Sequence, residues 1–183
     1  MTARYSSVAI ILHWLIALMI IGLIVFGLLM TNEGVPNRFA LYQWHKTFGI
    51  TVLVLSLIRL VWRFRHTPPA LPEALPAWQK HASHATHWAF YALMMGMPLL
   101  GWAMVSASSL PVPTLLYGVI PLPDMPGISE TEALYERFRL LHEIGAKLFI
   151  ALLFLHIGAA LKHHFKDKDA VLSRMIPWVK TRS

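Results

Sequence analysis

The chain has 183 residues, of which 56% are hydrophobic and 14% are charged, and its formal net charge is +7. A charged fraction this far below the ~25% of soluble domains excludes an ordinary soluble protein and indicates an integral membrane protein. The sequence contains no cysteine, which excludes disulfides, iron–sulfur clusters and thioether attachment of haem.

Four apolar segments follow one another along the chain. The first, 8–30, is uncharged and exceeds the ~20 residues that cross a ~30 Å hydrocarbon core. It lacks a small-residue cleavage site, so we predict a retained helix and not a signal peptide. Further spans are predicted at 41–62, 84–105 and 140–161, with their charges within two turns of a span end. The sequence therefore predicts an all-α, four-helix transmembrane bundle that forms a single domain over 1–183.

The connections between the spans differ in character. Residues 31–40 are predicted to form a short turn, and 63–83 a basic, proline-rich loop. The outer connection, 106–139, is the longest, and its prolines exclude a fifth spanning helix. We expect it to fold down over the outer end of the bundle. Near its end, Ser129 or Thr131 is predicted to cap a helix with acidic residues in its first turn.

Lysine and arginine residues predict the orientation of the bundle. Most of the 16 lie at the termini and around the 63–83 loop. The positive-inside rule therefore places both termini in the cytoplasm. We interpret the positive charge as a topology signal and an affinity for anionic lipid, and not as nucleic-acid binding. The opposite, outer side of the bundle is predicted to hold only five basic residues: Arg38, Lys46, Arg137, Arg139 and Lys147.

Four histidines within the spans carry the main functional signal: His13, His45, His142 and His156. The last two are 14 residues apart on one predicted helix, which corresponds to ~21 Å of rise and a rotation ~40° short of four turns. In an antiparallel bundle the other two arrive at the same two depths, so we predict two pairs of imidazoles. Each pair would hold one noncovalent haem b with no open position on the iron, which favours electron transfer.

Small residues follow these four histidines by one helical turn. A porphyrin bound edge-on between helices needs such clearance beside its ligands, so the pattern supports haem binding. The residues are Ala17, Gly49, Ala146 and Ala160.

Two other interpretations compete with haem binding. A histidine in a membrane helix is often a polar packing residue that is bonded to a neighbouring helix. Zinc would need four ligands close together, whereas ~21 Å separates the two ends. The string that begins with His142 and Glu143 is not a zinc-protease motif, because position 146 is alanine.

The remaining histidines are predicted to lie outside the paired sites. His81, His84 and His87 are expected to form a polar cytoplasmic cluster and not a metal site. His163 and His164 are expected to face lipid headgroups or a haem propionate.

Nearly the whole chain resembles the bacterial cytochrome b-561 family. The resemblance is carried by RYSSVAIILHWLIALMI, LYQWHKTFGITVLVLSLIRLVWR, HASHATHWAFYALMMGMPLLGW and, most specifically, LHEIGAKLFIALLFLHIGAALKHHFKDKDAVLSRMIP. It implies a four-helix inner-membrane cytochrome with two haems b, and axial ligands at the same four histidines. The implied pairs are His13 with His156 at the cytoplasmic side and His45 with His142 at the periplasmic side.

The resemblance also implies a function. One relative is a superoxide oxidase, so we expect electrons to pass from periplasmic superoxide to ubiquinone of the respiratory chain. Lys46, Arg38 and Arg139 are predicted to attract this anion, although interfacial anchoring or propionate pairing explains them equally well. One alternative is a nonenzymatic electron-transfer subunit of a hydrogenase or dehydrogenase complex, with a protein partner. The other is a proton-coupled transporter that uses membrane histidines as a relay.

Overall fold

Four long helices form the structure, a computed structural model that describes residues 4–110, 112–176 and 178–179. All four helices are long and apolar enough to cross a membrane. Each predicted span lies inside one of them, which confirms the all-α membrane bundle. The helices are α1 (Ser7–Met30), α2 (Arg38–Arg65), α3 (Ala77–Ser106) and α4 (Glu132–Lys162).

Local chemistry explains where α1 and α4 begin. The hydroxyl of Ser6 accepts a hydrogen bond from the backbone N–H of Ala9, and that of Thr131 accepts one from Leu134. Such caps satisfy donors that have no partner within the helix. Thr131 is thus one of the two predicted caps, and α4 begins within the outer connection, before the predicted span 140–161.

Neighbouring helices pack in chain order: α1 on α2, α2 on α3, and α3 on α4. Among the described residues, α4 makes no comparable interface with α1 or α2. A central layer of buried side chains holds the bundle together halfway along its length. This layer comprises Ile16, Ile20, Val52, Tyr91, Met94 and Phe149.

The connection between α3 and α4 contains a small antiparallel hairpin of β1 (Thr114–Leu116) and β2 (Ile120–Leu122). Its turn passes through Tyr117 and Gly118, both with positive φ, as a type I′ turn requires. Gln43 of α2 donates to the carbonyl of Pro113 at 3.0 Å. The hairpin therefore lies against one end of the bundle, here called the hairpin end. The opposite end, near both chain termini, is called the terminal end.

Candidate functional site

Two pairs of histidine rings face each other at two depths of the bundle. At the terminal end, the ring centroids of His13 on α1 and His156 on α4 are 6.3 Å apart with an interplanar angle of 75°. At the hairpin end, His45 on α2 and His142 on α4 are 6.2 Å apart at 66°. The structure thus brings together the four histidines that the sequence singled out, in the two pairs that the resemblance implied.

The spacing within each pair suits two imidazoles on opposite sides of one metal ion. A metal–imidazole bond is ~2.0–2.1 Å and a ring centroid lies ~1.1 Å from its nitrogens, so the two centroids would be ~6.2–6.4 Å apart. The observed separations of 6.3 and 6.2 Å agree with this value. Both pairs also join helices that do not pack closely on each other in the described part of the chain, which leaves room for a flat ligand.

Two glycines on facing helices shape the hairpin-end pair. A Cβ on Gly27 of α1 would lie 3.6 Å from Cε1 of His45, and one on Gly101 of α3 would lie 3.3 Å from Cε1 of His142. Each glycine therefore meets the Nδ1–Cε1 edge of a ring, so that the Nε2–Cδ2 edge is turned away from it. The sequence also indicated small residues on the ligands' own helices, and among the described residues a Cβ on Gly49 would meet nothing within 4 Å, so the clearance that this pattern predicts stays a prediction.

The second nitrogen of each hairpin-end ring is placed as in a metal-bound histidine. In the part of the chain that the structure describes, the Nδ1 atoms of His45 and His142 are buried without a hydrogen bond of standard geometry. The backbone carbonyls of Leu23 and Met97 are the acceptors that approach these two rings. A histidine ligand usually donates its other ring N–H to a carbonyl or carboxylate, which fixes the tautomer and orients the ring. These residues therefore fit an axial ligand that binds through Nε2.

One histidine near the terminal-end pair, His87, was expected to belong to a polar cytoplasmic cluster. The ring of His87 on α3 lies 6.1 Å from that of His156 and is half-buried, whereas His81 and His84 are exposed. The predicted polar cluster is therefore divided, because α3 turns only His87 inward. Since α3 packs directly on α4, His87 and His156 have no open gap between their helices. This geometry favours His13 as the partner of His156.

The basic residues predicted near the outer surface have different surroundings. Lys46 is half-buried next to His45, and Arg38 is the first residue of α2. Arg139 forms ion pairs with Glu136 at 2.5 Å and Glu143 at 2.6 Å on its own helix. Two carboxylates thus balance Arg139, which offers less attraction to an anion than Lys46 does.

The two histidines at the end of α4 also differ from each other. Nδ1 of His163 lies 2.7 Å from Asp169 and 3.1 Å from Asp167, so this ring pairs with two carboxylates near the helix end. His164 is buried, with 9% of its surface exposed. A role for either residue at lipid headgroups or a propionate stays a prediction.

A four-helix membrane bundle with two facing imidazole pairs has the architecture of a b-type cytochrome, because bis-histidine ligation without cysteine suits noncovalent haem. The model of the family described as "Prokaryotic cytochrome b561" matches residues 4–178, and the chain belongs to this family. It is therefore a multi-pass bacterial membrane protein that binds b-type haem and transfers electrons.

Similar proteins match over nearly their whole length. "Cytochrome b561 homolog 1" of Escherichia coli (strain K12) is 32% identical over 95% of this chain and 97% of its own. "Cytochrome b561 homolog 2" of the same organism is 30% identical over 94% and 91%. "Probable superoxide oxidase CybB" of Yersinia pestis is 29% identical over 97% and 98%.

Proposed function

We propose that the chain is a superoxide oxidase that binds two haems b and passes electrons from superoxide at the hairpin end to ubiquinone. The observation that carries this proposal is the repetition of one geometry: two imidazole pairs with separations of 6.3 and 6.2 Å at two depths of α4. The similarity to the protein of Yersinia pestis supports superoxide as the donor.

The histidines would act as paired axial ligands. His13 and His156 would hold the iron at the terminal end, and His45 and His142 the iron at the hairpin end. Haem, when bound, would supply reversible one-electron chemistry, and a pair of histidines on each iron would occupy the positions at which oxygen could bind. The four side chains thus restrict the site to electron transfer.

Helix α4 would carry one ligand of each site, so its geometry would set the distance between the two sites. The ligands on α4 are ~21 Å apart along the helix axis. Phe149 lies midway between them in the buried central layer, and its ring is 5.5 Å from that of Phe90. Phe90 in turn lies 5.2 Å from His156. These side chains would keep water out of the space between the two sites and fix the distance between them.

The reaction would balance as follows. Each superoxide gives up one electron and leaves as O₂, and ubiquinone takes up two electrons and two protons to become ubiquinol. Two superoxide ions are therefore consumed for each quinone. Lys46 and Arg38 would attract the anion to the hairpin end, which the distribution of lysine and arginine predicts to be periplasmic.

Rapid mixing of the oxidised, haem-loaded protein with superoxide tests the proposal. We expect reduction of the haem absorption bands at low salt, followed by reoxidation when a soluble ubiquinone analogue is added. Bands that stay oxidised at low salt would contradict the oxidase assignment. Co-purification of a stoichiometric protein partner would then favour an electron-transfer subunit.

A further inference from the structure

A cavity of about 360 Å³ opens at the terminal end, between the start of α1, the end of α2 and α3. Among the described residues, its lining includes three arginines, Arg4, Arg59 and Arg63, and no carboxylate. None of these arginines forms an ion pair within the described ranges of the chain. The cavity therefore has a strong positive charge, which no carboxylate of the described residues neutralises.

Arg59 is the innermost of these charges. Its Nη1 donates to the backbone carbonyl of Ala9 at 2.7 Å, and the hydroxyl of Tyr91 lies beside it. A guanidinium has five N–H donors, so these contacts leave donors free and do not compensate the charge. A cation inside a membrane span is costly and is normally paired. Arg59 therefore fits a site whose counter-charge is supplied by a ligand.

The walls of the cavity are fixed by further contacts. The indole N–H of Trp62 donates to the hydroxyl of Ser6 at 2.9 Å, which ties the chain before α1 to α2. The ring of His66 stacks on that of Trp62, with centroids 3.8 Å apart. The guanidinium of Arg63 lies 5.8 Å from the centre of the Trp88 ring, in range for a cation–π interaction. Arg59 and Arg63 are thus held around a formed opening.

We propose that this cavity binds an oxoanion, a carboxylate or a phosphate, that is part of a molecule held in the membrane. Both groups accept paired hydrogen bonds from a guanidinium in a geometry that lysine does not offer. One source is a carboxylate of the haem between His13 and His156, since Ala9 is one helical turn from His13. The other source is the phosphate of an anionic phospholipid. Only the haem source rests on the proposed function.

Two sets of experiments, a lipid arm and a haem arm, distinguish the two sources. The lipid arm compares wild type with Arg59→Gln. The matched control is Arg65→Gln, because Arg65 is on the same helix, is exposed and does not line the cavity. Delipidated protein is mixed with phosphatidylglycerol or with phosphatidylcholine, and its unfolding temperature is measured. A bound ligand stabilises the folded state. If the lipid is the source, phosphatidylglycerol raises the unfolding temperature of wild type and of Arg65→Gln, and this shift is lost in Arg59→Gln.

The haem arm measures midpoint potentials by spectroelectrochemical titration. Removing a nearby positive charge lowers the potential of a haem, because the cation favours the reduced, more negative state. If the haem carboxylate is the source, Arg59→Gln lowers the potential of one haem and leaves the other unchanged. Haem b then binds wild type more tightly than Arg59→Gln, whereas haem dimethyl ester, which has no free carboxylate to pair with Arg59, binds both equally tightly.

A positive result in either arm supports the anion site and identifies its source. If Arg59→Gln and Arg65→Gln behave alike in both arms, the proposal is wrong. Should Arg59→Gln fail to fold, Arg63→Gln takes its place in both arms. Haem content is measured first, so that a wild type without two haems counts against the proposed function while the lipid arm still tests the cavity.

Discussion

Gly101 of α3 lies so close to His142 of α4 that a Cβ at position 101 would be 3.3 Å from Cε1 of the ring. The missing side chain at position 101 therefore leaves room for this imidazole, whose Nδ1–Cε1 edge lies against α3. Gly101→Val should therefore displace the ring and lower the occupancy of one haem, measured as haem per protein. Gly22→Val is the matched control, because a Cβ there would meet no atom of the described residues within 4 Å. Equal haem content in both variants would contradict a role for Gly101.

Substitution of the four histidines should divide them into two groups. His45→Ala and His142→Ala should remove the same haem, because their rings face each other, and His13→Ala and His156→Ala should remove the other. Low-temperature absorption and EPR spectra of the purified variants distinguish the two haems. A spectral loss that His13→Ala shares with His142→Ala would show that the pairs are wrongly assigned.

His87 should influence one haem without holding it. The helices of His87 and His156 pack directly on each other, so we expect His87→Ala to retain both haems and to shift the midpoint potential of only one. His84→Ala, which changes an exposed residue on the same helix, should leave both potentials unchanged. A haem lost from His87→Ala to the same extent as from His156→Ala would identify His87 as a ligand.

Lys46 should accelerate the reaction with superoxide through its charge. Screening shortens from ~10 Å at 0.1 M salt to ~3 Å at 1 M, so haem reduction by superoxide should slow as salt increases. Lys46→Gln should be slower than wild type at low salt and less sensitive to salt, as stopped-flow absorption will show. Reduction by a quinol from the lipid side should change little, and Arg65→Gln at the other end is the matched control. Unchanged superoxide kinetics in Lys46→Gln would rule out electrostatic attraction by this residue.

The spans and the depths of the four histidines were predictable because hydropathy and helix rise are local properties. The ion pairs of Arg139 also follow from the sequence, since Glu136 and Glu143 lie three and four residues away on one helix. The roles of Gly27, Gly101 and His87 were not, because they depend on which face each helix turns to its neighbours. The hairpin was missed because its turn uses Tyr117 and Gly118 in place of the usual Asn-Gly.

The ratio of haem to protein tests the central claim of two histidine-held haems most directly. Pyridine haemochrome analysis of the purified protein, combined with a protein assay, should give two haems b per chain, both extractable with acid acetone because the chain has no cysteine. A ratio of one haem per chain, or haem that stays with the protein after extraction, would contradict the paired-histidine account.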